Sequence, residues 1–382
     1  MVDTDVSLVL RNVTRISLLI TVIAVALSLA ASIGMGALFT RGIIRLDRIV
    51  RGFDQTNLDV RSDISSRDEV GRLGSSFNEM ADTIQNYSVQ LESLLNAFKR
   101  FVPHEFIQFL DKKSILDVRL GDQVQKKMTI MFSDIRSFSE LSESMTPEEN
   151  FKFLNSYLSR VGPEIRAHGG FIDKYIGDSI MALFPEKPED ALRAAIAMFG
   201  KLIEYNGHRQ STGYIPIGIG IGLHTGSLML GTLGEHERMD GSVISDAVNL
   251  CSRLESLTRM YGASILLSGV TLDLLPDKNS YGCRFVDKVQ VKGRKEPTTI
   301  YEVFDTDPAD MVIRKRDSLQ DWNGAVKSYF YRRFREAFKI LYELKKNNPD
   351  DVLYDIFLRR CVRHIKTGVP DDWQGVEVLQ SK

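Results

Sequence analysis

The chain has 382 residues, enough for two or three domains, and its 49 Lys+Arg and 50 Asp+Glu leave a net charge of -1. This charge balance argues against a nucleic-acid binder, which needs a broad basic face. A hydrophobic content of 43% with 26% charged residues excludes a disordered chain. Cys251, Cys283 and Cys361 are too scattered for a disulfide framework or a CxxC zinc site, which indicates a reducing compartment.

The first predicted element is a membrane helix over residues 16–39, which follows a short N-terminal segment, 1–15. This stretch contains no charged residue, and at about 1.5 Å per residue it exceeds the roughly 30 Å hydrocarbon core of a bilayer. A signal peptide and a buried core helix are the alternatives. Because the larger cationic excess follows the stretch, within 41–51, we expect a single-pass protein of the cell membrane with a cytoplasmic catalytic domain. Segment 1–15 is too short for an external sensor, and the upstream sensor is unknown.

A helical stalk is predicted between the membrane and residue 126. Apolar residues at helical spacing continue to a break at 54–57 and resume from near Ser66 to Leu95, at intervals of three and four. Intervals of this kind predict a coiled coil and hence a parallel homodimer. Pro103 is expected to end the coil.

The first part of this stalk, residues 40–90, contains Asp68-Glu69-Val70-Gly71 and Phe77-Asn78-Glu79-Met80. The order of membrane helix, helix, connector and helix, together with these sequences, resembles a HAMP signalling module. Arg45 departs from the family, in which many modules have proline there. A plain amphipathic stalk is the alternative. Residues 91–126 are predicted to be a coiled-coil linker to the next domain.

Residues 127–304 alternate strand and helix patterns. The order strand, helix, hairpin, helix, strand predicts an α+β domain with a ferredoxin-like βαββαβ sandwich. The expected elements are a strand at 128–132, a helix at 147–165, a hairpin at 171–184, a helix at 188–206, a strand at 215–223 and a helix at 244–260.

Two aspartates stand at predicted strand ends, Asp134 after the first strand and Asp178 in the hairpin turn. If the first strand and the hairpin are neighbours, both carboxylates converge on one edge of the sheet. Carboxylates at such positions are oxygen ligands of the kind that Mg²⁺ uses together with substrate phosphates. Because aspartate is also an ordinary turn residue, the spacing alone leaves a metal site and a structural role both open.

The same region carries three motifs in order: Phe132-Ser133-Asp134-Ile135-Arg136-Ser137-Phe138, Lys174-Tyr175-Ile176-Gly177-Asp178, and Asp246-Ala247-Val248-Asn249-Leu250-Cys251-Ser252-Arg253-Leu254-Glu255. Together they resemble the class III nucleotide cyclase family. The resemblance implies that Asp134, Asp178 and the Ile135 backbone carbonyl bind two Mg²⁺ or Mn²⁺ ions. It also implies a head-to-tail homodimer, in which the metal residues of one subunit face the substrate-reading residues of the other.

Five further residues receive substrate roles from this resemblance. Lys174 and Ser242 would read the purine, and Lys292 would hold the terminal phosphates. Asn249 would position the ribose and Arg253 would stabilise the pentavalent phosphorus; four positions apart on a predicted helix, they share one face. Without the resemblance, Asn249 and Arg253 read as a helix surface pair and Lys292 as a solvated lysine.

The expected substrate is ATP. A cation at Lys174 can donate to adenine N1, whereas guanine N1 carries a hydrogen. We expect a membrane-anchored adenylate cyclase that forms 3′,5′-cyclic AMP and pyrophosphate by attack of the ribose 3′-hydroxyl on the α-phosphorus, regulated through the HAMP module and dimer geometry. A guanylate cyclase and a catalytically silent nucleotide-binding transducer are the alternatives. Ser242, Gly241 and Ser245 depart from the family's usual residues, which weakens the expected strictness of base selection.

Residues 305–382 are predicted to form a helical C-terminal extension with helices near 329–344 and 352–365. The pair resembles a single degenerate helical-repeat hairpin, below the number of repeats that stands alone. A structural cap packed on the catalytic domain is therefore expected, with a partner-docking surface as the alternative.

Overall fold

The structure, a computed structural model, describes residues 2–98, 103–290 and 296–378. The chain divides into two compact units, Met1–Phe101 and Val102–Lys382. The predicted phosphate residue Lys292 lies outside the described residues, as do the last residues before Pro103, where the coil is predicted to end.

The first unit consists of two long helices, α1 (Val2–Arg51) and α2 (Glu69–Phe98). The part of α1 from Leu10 to Arg51 is long and apolar enough to cross a membrane, and its apolar side chains as far as Phe39 are exposed. After α1 the chain breaks in the turn at 54–57, where the sequence pattern predicts a break.

The connector between these helices is fixed to α2 by polar contacts. The Asn78 side chain accepts a hydrogen bond from Ser62 N at 2.6 Å and donates one to Ser62 O at 2.9 Å. Asp68 Oδ1 accepts from the backbone nitrogens of Val70 and Gly71, both at 3.1 Å. Because Asp68 caps the helix, α2 begins at Glu69, three residues later than the pattern near Ser66 predicts.

The second unit contains a mixed sheet, which has nine strands in the described part of the chain. In the order β2-β3-β1-β4, β1 is antiparallel to both β3 and β4, so the predicted ferredoxin-like core is confirmed. The order continues through β6, β8, β7 and β9, while β5 pairs with the distal part of β4. The strands are β1 (Gln123–Ile135), β2 (Phe171–Ile176), β3 (Ser179–Phe184), β4 (Ile219–Gly234), β5 (Met239–Ile244), β6 (Ile265–Ser268), β7 (Cys283–Gln290), β8 (Thr298–Val303) and β9 (Glu377–Val378).

Two long helices cover one face of this sheet and a third covers the other. Side chains of the first two form one core with alternate residues of β1, β3 and β4, including Met131, Ile180 and Ile221. The third helix contributes Ala247 and Cys251 to a separate core on the opposite face. The helices are α3 (His104–Phe109), α4 (Phe138–Glu143), α5 (Pro147–Ala167), α6 (Pro188–Ser211), α7 (Asp246–Tyr261) and α8 (Gly269–Asp273); of these, α5 and α6 cover the first face and α7 the second.

Helix α7 lies close to the sheet because glycines of β4 stand beneath it. A Cβ atom added at Gly222 would lie 2.7 Å from the Cys251 carbonyl oxygen and would also strike the α7 backbone at Glu255. At Gly226, an added Cβ would lie 2.7 Å from Ala247 Cβ. The glycine-rich sequence of this strand therefore sets the depth at which α7 packs.

We expect Gly222→Ala to destabilise the protein by about 1–3 kcal/mol, because the backbone of α7 must move to admit the methyl group. The shift of the denaturant midpoint measures the effect. Gly200→Ala in α6 is the control, since an added Cβ there meets nothing within 4 Å, and it should be neutral or stabilise by up to about 1 kcal/mol. Equal losses in both variants would contradict this account of α7 packing.

The strand predicted at 215–223 is wrong at both ends, because β4 begins at Ile219 and continues to Gly234. Residues before Ile219 pair with side chains of α6 instead of a strand. Arg209 Nε donates to Ile215 O at 2.8 Å, and the Asn206 amide bonds both Ile217 O (2.7 Å) and Ile217 N (2.8 Å).

The C-terminal extension, as far as residue 378 where its description ends, has four helices where the sequence predicts two. The predicted helix 329–344 is wrong, since Arg332 adopts φ +64 and divides it into two helices. Large side chains of the extension, among them Trp322, Tyr354 and Phe357, share a core with Leu254 and Leu257 of α7, so the predicted packing on the catalytic domain is confirmed. The helices are α9 (Ala309–Asp317), α10 (Leu319–Phe330), α11 (Phe334–Asn347) and α12 (Val352–Thr367).

Buried ion pairs join this extension to β7 and β8. Arg284 Nη1 contacts Asp351 Oδ2 at 2.5 Å, and its Nε contacts Glu302 Oε2 at 2.5 Å. Lys315 Nζ contacts the other oxygen of Glu302 at 2.7 Å. All four side chains are at most 3% exposed, so each charge depends on its partners for stabilisation.

A second buried cluster ties the extension to the end of α7. The Asp287 carboxylate accepts from Tyr261 Oη at 2.5 Å and from Arg360 Nη2 at 2.7 Å. Tyr261 belongs to α7 and Arg360 to α12, so Asp287 connects the two helices through the sheet.

Candidate active site

Asp134 lies near the end of β1, between β3 and β4. The strand register places it opposite Gly220 of β4, and its neighbour Ser133 opposite Ile180 of β3. Ser179 Oγ donates a hydrogen bond to Asp134 Oδ1 at 2.6 Å, which fixes one carboxylate oxygen. The side chain is partly exposed at this edge of the sheet.

Asp178 lies in the turn that joins β2 to β3, after Gly177, which adopts φ +65. The backbone N–H of Ile135 donates to Asp178 Oδ2 at 3.2 Å, so the turn reaches the end of β1. The structure therefore brings Asp134 and Asp178 together on one edge, as the sequence pattern predicts.

The proximity of the two carboxylates affects the pKa of Asp178. Burial raises the pKa of Asp178 to about 7, and the hydrogen bond and negative charge of Asp134 act in the same direction. Such a pair is stabilised by a proton or a cation. Two carboxylates beside the Ile135 backbone form an oxygen-rich donor set that fits Mg²⁺ or Mn²⁺. Over 2–98, 103–290 and 296–378, no cluster of three or more His, Cys, Asp or Glu side chains surrounds a possible metal position, so further ligands would be backbone, substrate or water.

A cleft of about 270 Å³ opens beside the two aspartates. Helix α7 lines it with Glu255 and Arg259, and the loop after β1 lines it with Arg136. Burial raises the pKa of Glu255 to about 7, assisted by the negative charge of Asp134 and opposed by the two arginines. Sequence reasoning missed these three residues, although Glu255 stands at the end of the third motif.

Helix α7 also positions the predicted ribose and phosphorus residues. Ser245 caps the helix, since its Oγ accepts from Ala247 N at 3.0 Å. Asn249 is exposed and Arg253 is half-buried, one helical turn apart on α7. The predicted sharing of one helix face follows from this placement.

The predicted purine residues lie on β2 and β5. Lys174 stands opposite Met181 of β3, and Ser242 stands opposite Gly231 of β4. Asp240, which shares a face of β5 with Ser242, acts electrostatically on Asp173, the neighbour of Lys174.

These residues form two sets within one chain. The cleft beside Asp134 and Asp178 does not include Lys174, Ser242 or Asn249 in its lining. Among the described residues, no hydrogen bond or ion pair joins Lys174 or Ser242 to either aspartate. The residues predicted to bind metal therefore line this cleft, whereas those predicted to read the purine do not.

Family comparisons agree with this architecture. Residues 121–303 match the adenylate and guanylate cyclase catalytic domain, and residues 43–86 match the HAMP domain. The chain therefore contains an adenylate and guanylate cyclase catalytic domain, which a HAMP domain precedes.

Two proteins named adenylate cyclases are similar in sequence to this chain. An adenylate cyclase of Anabaena cylindrica is 44% identical over 65% of this chain and 51% of its own length. A terminal-differentiation specific adenylate cyclase of Dictyostelium discoideum is 34% identical over 79% of this chain and 15% of its own length. The chain therefore spans about half or less of these two relatives. A bacterial light-regulated adenylyl cyclase structure superposes with a TM-score of 0.52 at 24% identity, covering 63% of this chain and 70% of that one, which supports the fold.

Proposed function

We propose that this chain is a membrane-anchored adenylate cyclase that converts ATP to 3′,5′-cyclic AMP and pyrophosphate. The observation that carries the proposal is the Asp134–Asp178 pair at the end of β1, beside a cleft bordered by α7. The relatives at 44% and 34% identity carry adenylate cyclase names, which supports ATP as the substrate.

In this proposal Asp134, Asp178 and the Ile135 carbonyl hold two Mg²⁺ or Mn²⁺ ions. When bound, the ions supply activation of the ribose 3′-hydroxyl and charge compensation for the pyrophosphate leaving group. The 3′-hydroxyl gives its proton to solvent water, and the bond from O3′ to the α-phosphorus forms as the bond from that phosphorus to the pyrophosphate oxygen breaks.

The remaining residues bind and orient the nucleotide. Arg253 offsets the charge that moves across the α-phosphoryl group, and Asn249 holds the ribose from the same face of α7. Lys292 neutralises the terminal phosphates. Lys174 donates to adenine N1 and Ser242 accepts from the adenine amino group, which favours ATP over GTP.

The proposed active enzyme is a homodimer with composite sites, because Lys174, Ser242 and Asn249 are not among the residues that line the cleft beside Asp134 and Asp178. Exposed apolar side chains support this. On α2, Leu73, Met80, Tyr87 and Leu94 recur every seven residues and are 49–68% exposed, as in an unpartnered coiled-coil seam. On the β4–β5 hairpin, Leu233, Met239 and Ile244 are also exposed. Helix α1 would anchor the dimer, with its basic C-terminal flank and the catalytic domains on the cytoplasmic side.

The substrate is tested with the purified full-length chain, Mn²⁺, and either ATP or GTP. Cyclic AMP from ATP is the expected product. Cyclic GMP as the main product would identify a guanylate cyclase, and nucleotide binding without either product would identify a silent transducer.

The composite site predicts that two inactive variants restore each other. Asp134→Ala and Arg253→Ala, co-expressed in equal amounts, should recover about a quarter of wild-type activity, since half of the dimers are mixed and each has one intact site. Cyclic AMP formation measures the recovery. Asp134→Ala with Asp178→Ala is the matched control and stays inactive, because both changes fall in the same half-site. Equal recovery in both pairs, or none in the first, would contradict the head-to-tail dimer.

A further inference from the structure

Asp173 is a buried carboxylate beside the proposed purine-reading lysine. It lies at an irregularity of β2, where the register passes from Ile172 opposite Ala182 to Lys174 opposite Met181 and leaves Asp173 without a cross-strand partner. Its side chain is 3% exposed.

Adjacent residues of a regular strand point to opposite faces. A bulge removes that alternation and re-aims a side chain, so neighbouring residues can approach each other. Here Lys174 Nζ lies 3.5 Å from Asp173 Oδ2. The bulge thus creates a charge pair between consecutive residues.

The carboxylate has little other support. Asp173 Oδ2 is buried and accepts no hydrogen bond from the residues that the structure describes. Burial raises the pKa of Asp173, the Lys174 cation opposes that rise, and the negative charge of Asp240 on β5 adds to it. An acid so placed is costly to bury, and the neighbouring lysine is the cation that compensates it.

We infer that Asp173 is a specificity-determining positioning residue, which holds the Lys174 ammonium in place to donate to the purine ring. The inference rests on the proposed function. Lys174 is 34% exposed on a flexible four-carbon stem, and a mobile donor discriminates poorly between adenine and guanine. The second purine residue, Ser242, carries a hydroxyl that can donate or accept, so the fixed cation provides most of the selection.

The test compares Asp173→Asn with wild type for ATP and GTP. The variant keeps the side-chain shape and removes the charge. We expect KM for ATP to rise about tenfold with a smaller change in kcat, and the ratio of kcat/KM for ATP to that for GTP to fall about tenfold. Asp321→Asn in α10 is the control, because Asp321 is exposed and belongs neither to this charge cluster nor to the lining of the cleft; it should leave both quantities near wild type.

A double-mutant cycle separates positioning from a purely structural role. In the Lys174→Ala background, Asp173→Asn should have no further effect on the ATP-to-GTP ratio, since the cation it holds is gone. An undiminished effect in that background, or an unchanged ratio in folded Asp173→Asn, would overturn the inference while wild-type cyclic AMP formation upholds the proposed function. If Asp173→Asn does not fold, Asp173→Glu replaces it; retention of the wild-type ratio is then expected, and its loss counts against the inference. Wild-type protein that forms no cyclic nucleotide from either substrate would instead contradict the proposed function itself.

Discussion

Asp178→Asn is expected to lower cyclic AMP formation by about a hundredfold to a thousandfold and, in metal-free protein, to raise the unfolding midpoint. The asparagine oxygen can keep the hydrogen bond from Ile135 N, while the negative charge that would face a cation is lost. The same change removes the repulsion between Asp178 and Asp134. Loss of activity with gain of stability distinguishes a functional charge pair from a structural one.

The stability difference depends on pH with a definite sign. The pKa of Asp178 is raised to about 7 in the folded chain, so the unfolded chain loses its proton first as pH rises. The carboxyl group therefore lowers the free energy of unfolding progressively as pH rises from about 4 to about 7. The asparagine variant has no carboxyl group and does not lose this stability. Unfolding midpoints in chelator should agree near pH 4 and diverge by pH 8.

Glu140→Gln is the matched control for this prediction, because Glu140 is an exposed acid on α4 outside the lining of the cleft. It should retain activity and show no comparable change of stability with pH. An Asp178→Asn variant that keeps its turnover would remove the metal site from the proposed mechanism.

Arg284→Met is expected to destabilise the second unit by about 3–5 kcal/mol. Arg284 is buried and contacts Glu302 and Asp351 at 2.5 Å each, with a second bond to Asp351 at 3.0 Å. Methionine fills much of the volume but leaves Asp351 buried without its cation. Denaturant titration followed by tryptophan fluorescence measures the loss, since Trp322 lies in the core beside Arg284.

The control for this variant is Arg316→Met, which breaks a 2.9 Å contact between Arg316 and Asp305 at the surface. An exposed pair contributes about 0–1 kcal/mol, so a small change is expected. Equal losses for Arg284 and Arg316 would mean that the buried cluster is no more important than a surface ion pair.

The turn of the β2–β3 hairpin and the end of β1 were readable from the sequence to within a few residues, because short apolar runs and turn residues mark them locally, whereas the ends of β4 were not. Asp134 and Asp178 each stand beside such a strand end. The βαββαβ order is sufficient to bring them together, because it makes β1 and the hairpin neighbours in the sheet. The break at Arg332 was not readable, since arginine carries no preference for a positive φ and the tertiary packing of α10 and α11 imposes it.

Contacts between distant parts of the chain were also beyond local patterns. Arg284 and Asp351 are 67 positions apart, and nothing near either residue indicates the other. The same holds for Asp173, which lies at an irregularity of β2 that no local pattern marks. Glu255 and Arg259 enter the cleft because glycines of β4 admit α7 so closely, which a strand pattern does not reveal.

The ion pairs around Arg284 limit where this chain can be divided into fragments. The family match ends at residue 303, yet the acid that completes the Arg284 pairing lies in the extension. A fragment cut at that boundary would expose the apolar side chains of α7 that pack on the extension. It would also remove Asp351 from Arg284 and Lys315 from Glu302. A fusion of the catalytic domain to another regulatory domain must therefore include α9–α12. The segment that has to be transferred is longer than the segment that matches the family.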